Sequence, residues 1–147
     1  MKLENGIWVA VCDGGKFLLL KNRGDTDMMD LRVIAHEEID RDAQIGRETR
    51  GPSPDGPQAK KGRSQNLSVE ELSEQRFVNS VGAELDERVQ SGAIDKIVLI
   101  ADPRTLGRLR SRMNEQTREA IIEEIGGDFA HNTVADVEAV LVRHVID

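Results

Sequence analysis

The chain has 147 residues, with 20 Lys+Arg against 27 Asp+Glu and a formal net charge of −7, which suits one compact domain spanning residues 1–147 and leaves no room for a second full core. A 32% charged fraction would read as disorder if the apolar residues were scattered, but they gather in blocks such as IWVAVC and KIVLIA, so the chain should fold. No run reaches the ~18 apolar residues of a membrane span and MKLENG lacks the layout of a signal peptide, so the expectation is a cytoplasmic protein with no membrane partner.

The continuously apolar run Ile7 to Cys12 predicts a strand covered on both faces, and Asp13-Gly14-Gly15 supplies a hairpin turn into a second strand, Lys16 to Lys21. Leu31, Val33 and Ala35 alternate with Arg32, Ile34 and His36, which predicts a third strand with one wetter face toward a sheet edge. From Leu67 to Gln90 the period becomes helical, with Phe77, Val78, Val81, Leu85 and Val89 on one face. Ser68 and Glu71 form an S-x-x-E capping box, and Leu67 and Leu72 take the positions of a hydrophobic staple. Ser91-Gly92 stops that helix. Lys96 to Ala101 is then a short apolar strand, expected parallel to the first through a right-handed crossover.

Asp102-Pro103 opens a helix with Leu106, Leu109 and Met113, and Asn114 caps another expected to contain Ile121 and Ile122. Ile125 to His131 is read as a last short strand and Val134 to Val145 as a closing amphipathic helix. The fold class that follows is α/β: a three-layer domain with a mixed five-stranded sheet in the order 3-2-1-4-5 and helices on both faces. Trp8, Val98 and Phe77 are expected in its core.

Residues 40–67 differ in composition from their surroundings. They hold Pro52, Pro54 and Pro57 and four glycines, show no apolar periodicity, and carry a net charge of +2, which leaves −9 on the rest of the chain. Loops longer than ~12–15 residues inside a compact domain are uncommon. The residues leave two readings open, a solvated surface loop or a cationic arm that orders on an RNA phosphate backbone or an acidic protein.

WVAVCDGGKFLLL, the Gly/Pro-rich insert, ELSEQRFVNSVGAELDERVQSGAIDKIVLIADPRTLGRLRSRM and EEIGGDFAHNTVADVEAVL together resemble the bacterial host-attachment protein family. That family in turn resembles the middle domain of archaeo-eukaryotic peptide-chain release factors and of Pelota, which implies a ribonuclease-H-like sheet. In such release factors a Gly-Gly-Gln tip precedes the long helix and enters the ribosomal peptidyl-transferase centre. Here the matching stretch reads Lys60-Lys61-Gly62-Arg63-Ser64-Gln65-Asn66. It holds a glycine and a glutamine, but Arg63 and Ser64 put side chains where the paired glycines allow close backbone approach. The resemblance therefore implies a release-factor-like domain associated with RNA or the ribosome, without peptide-release activity.

Other chemistries compete with this reading. Asp13 and Asp102 end strands expected to be parallel neighbours, and carboxylates at such a crevice hold divalent metal in ribonuclease-H-like nucleases, with Glu74 or Glu84 as further ligands. Both aspartates are equally the ordinary residues of a hairpin turn and a helix start, so catalysis is not the leading expectation. His36, His131 and His144 fall on separate elements, the single Cys12 rules out a cysteine-cluster site, and no metal or other cofactor is expected. The serines lack a G-x-S-x-G elbow and D-G-G-K is no phosphate loop. Arg104, Arg108 and Arg112, spaced i, i+4, i+8, would share a helical face, either as solvated ion pairs or as a phosphate-binding stripe.

RNA or partner binding is accordingly assigned to Lys60, Lys61, Gly62, Arg63, Gln65, Arg104 and Arg108, with Asp13 and Asp102 as the catalytic candidates. The ribosome, RNA or a protein partner are the partners considered, and the oligomeric state is left open. A metal-dependent nuclease and a protein-interaction module regulating attachment are the alternatives. Limited proteolysis should cut first between Ile45 and Lys61, because turn-rich backbone there has few competing contacts; protection of that interval would mean it is packed.

Overall fold

Buried strands set the frame. In the computed structural model, which describes residues 1–39 and 68–144, β1 (Trp8–Cys12) and β4 (Ile97–Ala101) are buried at every position, as continuous apolar runs require when both faces are covered. β1 pairs antiparallel with β2 (Lys16–Asn22), which pairs antiparallel with β3 (Leu31–Glu38). On its other side β1 pairs parallel with β4, and β4 parallel with β5 (Ile121–Gly126). The sheet is mixed and five-stranded in the order β3-β2-β1-β4-β5, the expected α/β arrangement.

The long helix α1 (Val69–Gln90) begins where the sequence places it. Ser68 Oγ accepts the Glu71 N–H at 3.1 Å, and Glu71 Oε1 accepts the Ser68 N–H at 3.2 Å, so both halves of the capping box close. Its buried Val78, Val81, Leu85 and Val89 meet Trp8, Ala10, Phe17, Leu19 and Leu99 on one face of the sheet, joined by Leu106 and Leu109 of α2 (Pro103–Arg112). Phe77 is half-buried against the same core. Val98 lies on the opposite face with Val9, Val11, Ile100 and the residues Val137, Val140 and Leu141 of α4 (Val134–Arg143). Leu67, and with it half of the expected staple, lies outside the described residues.

Two boundaries differ from the sequence reading. The helix after Asn114 is short: α3 (Glu115–Ala120) stops before Ile121, and β5 starts there instead of at Ile125. Ile121, Ile122 and Ile125 fit a helical stripe as well as a strand, but the ladder to β4 decides, placing Ile125 beside Ile100. Beyond Gly126 the chain turns through Gly127, at φ +157, where a Cβ would lie 2.3 Å from the Phe129 ring, so Phe129 to His131 are not strand. α4 ends at Arg143, and Val145 lies outside the described residues.

β3 is wetter than alternation suggests. Only Leu31 is buried; Val33 is 44% and Ile34 38% exposed. A register shift opposite Leu19/Leu20 leaves Ile34 as an extra residue, a bulge that breaks the two-face pattern.

Leu85, 2% exposed, sits where α1 crosses the sheet, so Leu85→Ala should lower unfolding free energy by about 3 kcal/mol in urea titration. Val142→Ala, at a residue 63% exposed, should change it by less than about 0.5 kcal/mol.

Candidate functional site

Cys12 and Ala101 are register partners at the ends of parallel strands, so the residues that follow them, Asp13 and Asp102, emerge side by side. They line a cleft of about 240 Å³ with Gly14, Gly15, Glu74, Arg104, Thr105 and Arg108. The sequence reading put Asp13 and Asp102 at one crevice, and they are there. Of the two further carboxylates considered, Glu74 joins them; Glu84 does not, lying beside Glu37 on another side of α1.

The oxygens of both aspartates serve local structure. Asp13 Oδ1 accepts the N–H groups of Gly15 and Lys16 at 2.8 and 2.7 Å, which fixes the hairpin turn. Its Oδ2 lies 3.1 Å from His131 Nε2. Asp102 caps α2, accepting the Thr105 N–H at 3.1 Å and the Thr105 hydroxyl at 2.6 Å. Among the described residues no group of three or more His, Cys, Asp or Glu side chains is placed to hold a metal ion. The Cys12 thiol, next to Asp13 in the chain, is buried in the core, and burial first, then the charges of Asp13 and Asp102, push its pKa up, so it stays a thiol.

Arg104, Arg108 and Arg112 of α2 face α1 and meet a carboxylate at each step. Arg104 lies 2.9 Å from Glu71, Arg108 4.0 Å from Glu74 and Arg112 3.6 Å from Asp86. The i, i+4, i+8 face is therefore real, and it is an ion-paired face. Arg110 points elsewhere, with Nε 3.0 Å from Glu124. A phosphate reaching Arg104 or Arg108 must compete with Glu71 and Glu74. Glu74 is itself wedged by the hairpin: a Cβ on Gly14 would lie 2.9 Å from its Cδ, so a side chain at 14 would push Glu74 toward or away from Arg108.

The described residues that flank 40–67 are anchored at this pole. On the incoming side the Ile39 N–H donates to Gly15 O at 2.8 Å, and Glu38 pairs with Lys16. On the outgoing side Ser68 caps α1, whose next two turns carry Glu71 and Glu74. Lys60, Lys61, Gly62, Arg63 and Gln65 lie outside the described residues. Sequence reasoning missed Thr105, although D-P-x-T carries the capping spacing, and it missed the contact of His131 with Asp13, for which no local signal exists.

The model of a family described as "Bacterial archaeo-eukaryotic release factor family 12" matches residues 6–141. Among solved structures, one described as "Archaeal protein" is similar at 8% identity and a TM-score of 0.47, covering 95% of this chain and 33% of its own. The crystal structure of an archaeal translation termination factor, aRF1, is similar at 9% identity and a TM-score of 0.45, covering 94% of this chain and 39% of that one. The chain thus spans between about a third and two fifths of the length of these structures. No curated protein matches.

The Glu71 carboxyl is held below the usual carboxylate range, first by its hydrogen bonds with Ser68 and then by Arg104. Its contribution to stability is present above the unfolded-state value and is lost as pH falls through the lower folded value. Glu71→Ala should therefore melt below the parent at pH 7, and the gap should narrow toward pH 3 in a thermal scan.

Proposed function

The chain belongs to bacterial archaeo-eukaryotic release factor family 12, and from that premise we propose that it is an RNA-contacting domain working at the ribosome, led by the cations of residues 40–67 and without peptide-release activity of its own. The observation that carries this reading is the position of the residues flanking that segment, Ile39 bonded to Gly15 of the cleft and Ser68 at the start of the helix that brings Glu74 to it. Lys60, Lys61 and Arg63 lie in sequence between Ile39, bonded to Gly15 of the cleft, and Ser68, whose capping partner Glu71 pairs with Arg104. A protein of net charge −7 approaches a polyanion through local positive charge.

The contacts are phosphate-led. Tyr is absent and the single Trp8 is buried, so stacking on exposed aromatics, the usual route to base preference in single-stranded RNA, has little to work with among the described residues. Arg104 and Arg108 contribute less than the insert because Glu71 and Glu74 already compensate them. Peptide release is left out because Lys60-Lys61-Gly62-Arg63-Ser64-Gln65 contains no glycine pair before the glutamine. Any influence on attachment to host cells then runs through translation.

Ribosome co-sedimentation and binding to single-stranded RNA across a salt series test the proposal. The parent should lose affinity steeply with salt, at about −0.7 in the log–log slope per phosphate contact. Replacing Lys60, Lys61 and Arg63 by alanine should flatten that slope by about 2 while leaving the melting temperature nearly unchanged. Equal affinity and salt dependence in parent and triple variant would remove the RNA role.

A further inference from the structure

β3 forms one border of the sheet, with β2 its one strand neighbour among the described residues. Its bulge changes which peptide groups face outward. Before the bulge, the Leu31 N–H donates to Glu138 Oε2 at 2.8 Å, away from β2, so by alternation Leu31 and Val33 turn toward the free edge. After it, the Ile39 N–H donates to Gly15 O, so Glu37 and Ala35 turn toward β2 while His36 and Glu38 turn outward. The outward set, 31, 33, 36 and 38, is symmetric about the midpoint between Ile34 and Ala35. The bulge creates that symmetry.

The side chains match it. Arg32 sits opposite Lys21 and Lys21 opposite Trp8, while Glu37 sits opposite Phe17 and Phe17 opposite Cys12. Trp8, Phe17 and Cys12 belong to the core under α1, so Arg32 and Glu37 project on that same face. On this face Glu37 and Glu84 of α1 meet at a groove of about 640 Å³ lined also by Ser80, Ala83 and Arg88, and the neighbouring Glu84 carboxyl pushes the Glu37 pKa up. Arg88 already serves Glu84, at 3.1 Å. The edge therefore offers a carboxylate pair short of positive charge at one end and an arginine at the other.

We propose that β3 is a dimerisation edge, pairing antiparallel with β3 of a second copy about a two-fold axis between Ile34 and Ala35 and laying Arg32 of each copy against Glu37 of the other. Val33 and His36 become a hydrogen-bonded pair across the axis, and Arg32 and Glu37 a non-hydrogen-bonded pair, where side chains approach more closely. The exposed Val33 and Ile34 are covered. Arg32 gives up its contact with Asp30, 3.1 Å and largely solvent-exposed, which is worth little. The Leu31 N–H stays with Glu138, which limits the shared ladder to its centre. A second copy fits better than an unrelated strand because the register that aligns the edge also aligns opposite charges.

This inference is independent of the RNA reading. Sedimentation velocity of the full chain over a concentration series should show a reversible dimer. Arg32→Glu and Glu37→Arg should each weaken it about tenfold or more, since like charges then face each other twice per dimer. Combining the two should restore the parent's dimerisation. Arg32→Gln tests the same pair without a reversed charge, with a smaller loss in the same direction, should a single swap disturb folding. A monomer at every concentration reached, a dimer indifferent to all these changes, or a double swap that stays as weak as the singles would overturn the proposal.

Discussion

The parallel pairing of β1 with β4 is the contact on which the other elements depend. Neither strand has a polar position, and each fully buried aliphatic side chain contributes about 1.5–3 kcal/mol only if both faces are covered. That requirement places α1 and α2 on one face and α4 on the other. It also brings the ends of the two strands level, so a hairpin turn and a helix N-cap, each locally satisfied, share one cleft. The cleft is a by-product of strand register, and its carboxylates are spent on turn and cap before any ligand arrives.

Charge is managed through pairing along α1. Glu71, Glu74 and Asp86 each meet an arginine of α2, and Asp86 also accepts the Asn114 N–H at 3.0 Å and the Thr117 hydroxyl at 2.6 Å. Such exposed pairs add little to stability singly; their effect is to orient α2 and α3 against α1. Glu37 and Glu84 are the contrast. They meet at the groove between β3 and α1, where one arginine, Arg88, bonded to Glu84 at 3.1 Å, serves two carboxylates.

How much of this was legible in the sequence follows the range of the interaction. Strand order, the capping box at Ser68 and the buried face of α1 follow from signals within one element or from crossover handedness. The start of β5 was not legible, because Ile121, Ile122 and Ile125 satisfy two periods and the choice is made by β4, some twenty residues away in sequence. The bulge at Ile34 leaves no decisive local mark, since the apolar run Val33-Ile34-Ala35 fits a regular strand as well as a bulged one. At the candidate site the convergence of Asp13 and Asp102 could be read from topology. That the arginines of α2 are compensated could not, as it depends on which turn of α1 packs against which turn of α2.

Burial of Cys12 has a practical consequence. With its thiol enclosed and held protonated beneath two aspartates, the native cysteine is a poor target for alkylating dyes, which react with thiolate. A single cysteine introduced on an exposed residue would take a fluorophore or spin label selectively in the otherwise unaltered chain. Distances between labelled copies, and between a label and a bound ligand, are then measurable without first replacing a core residue whose removal would leave a void.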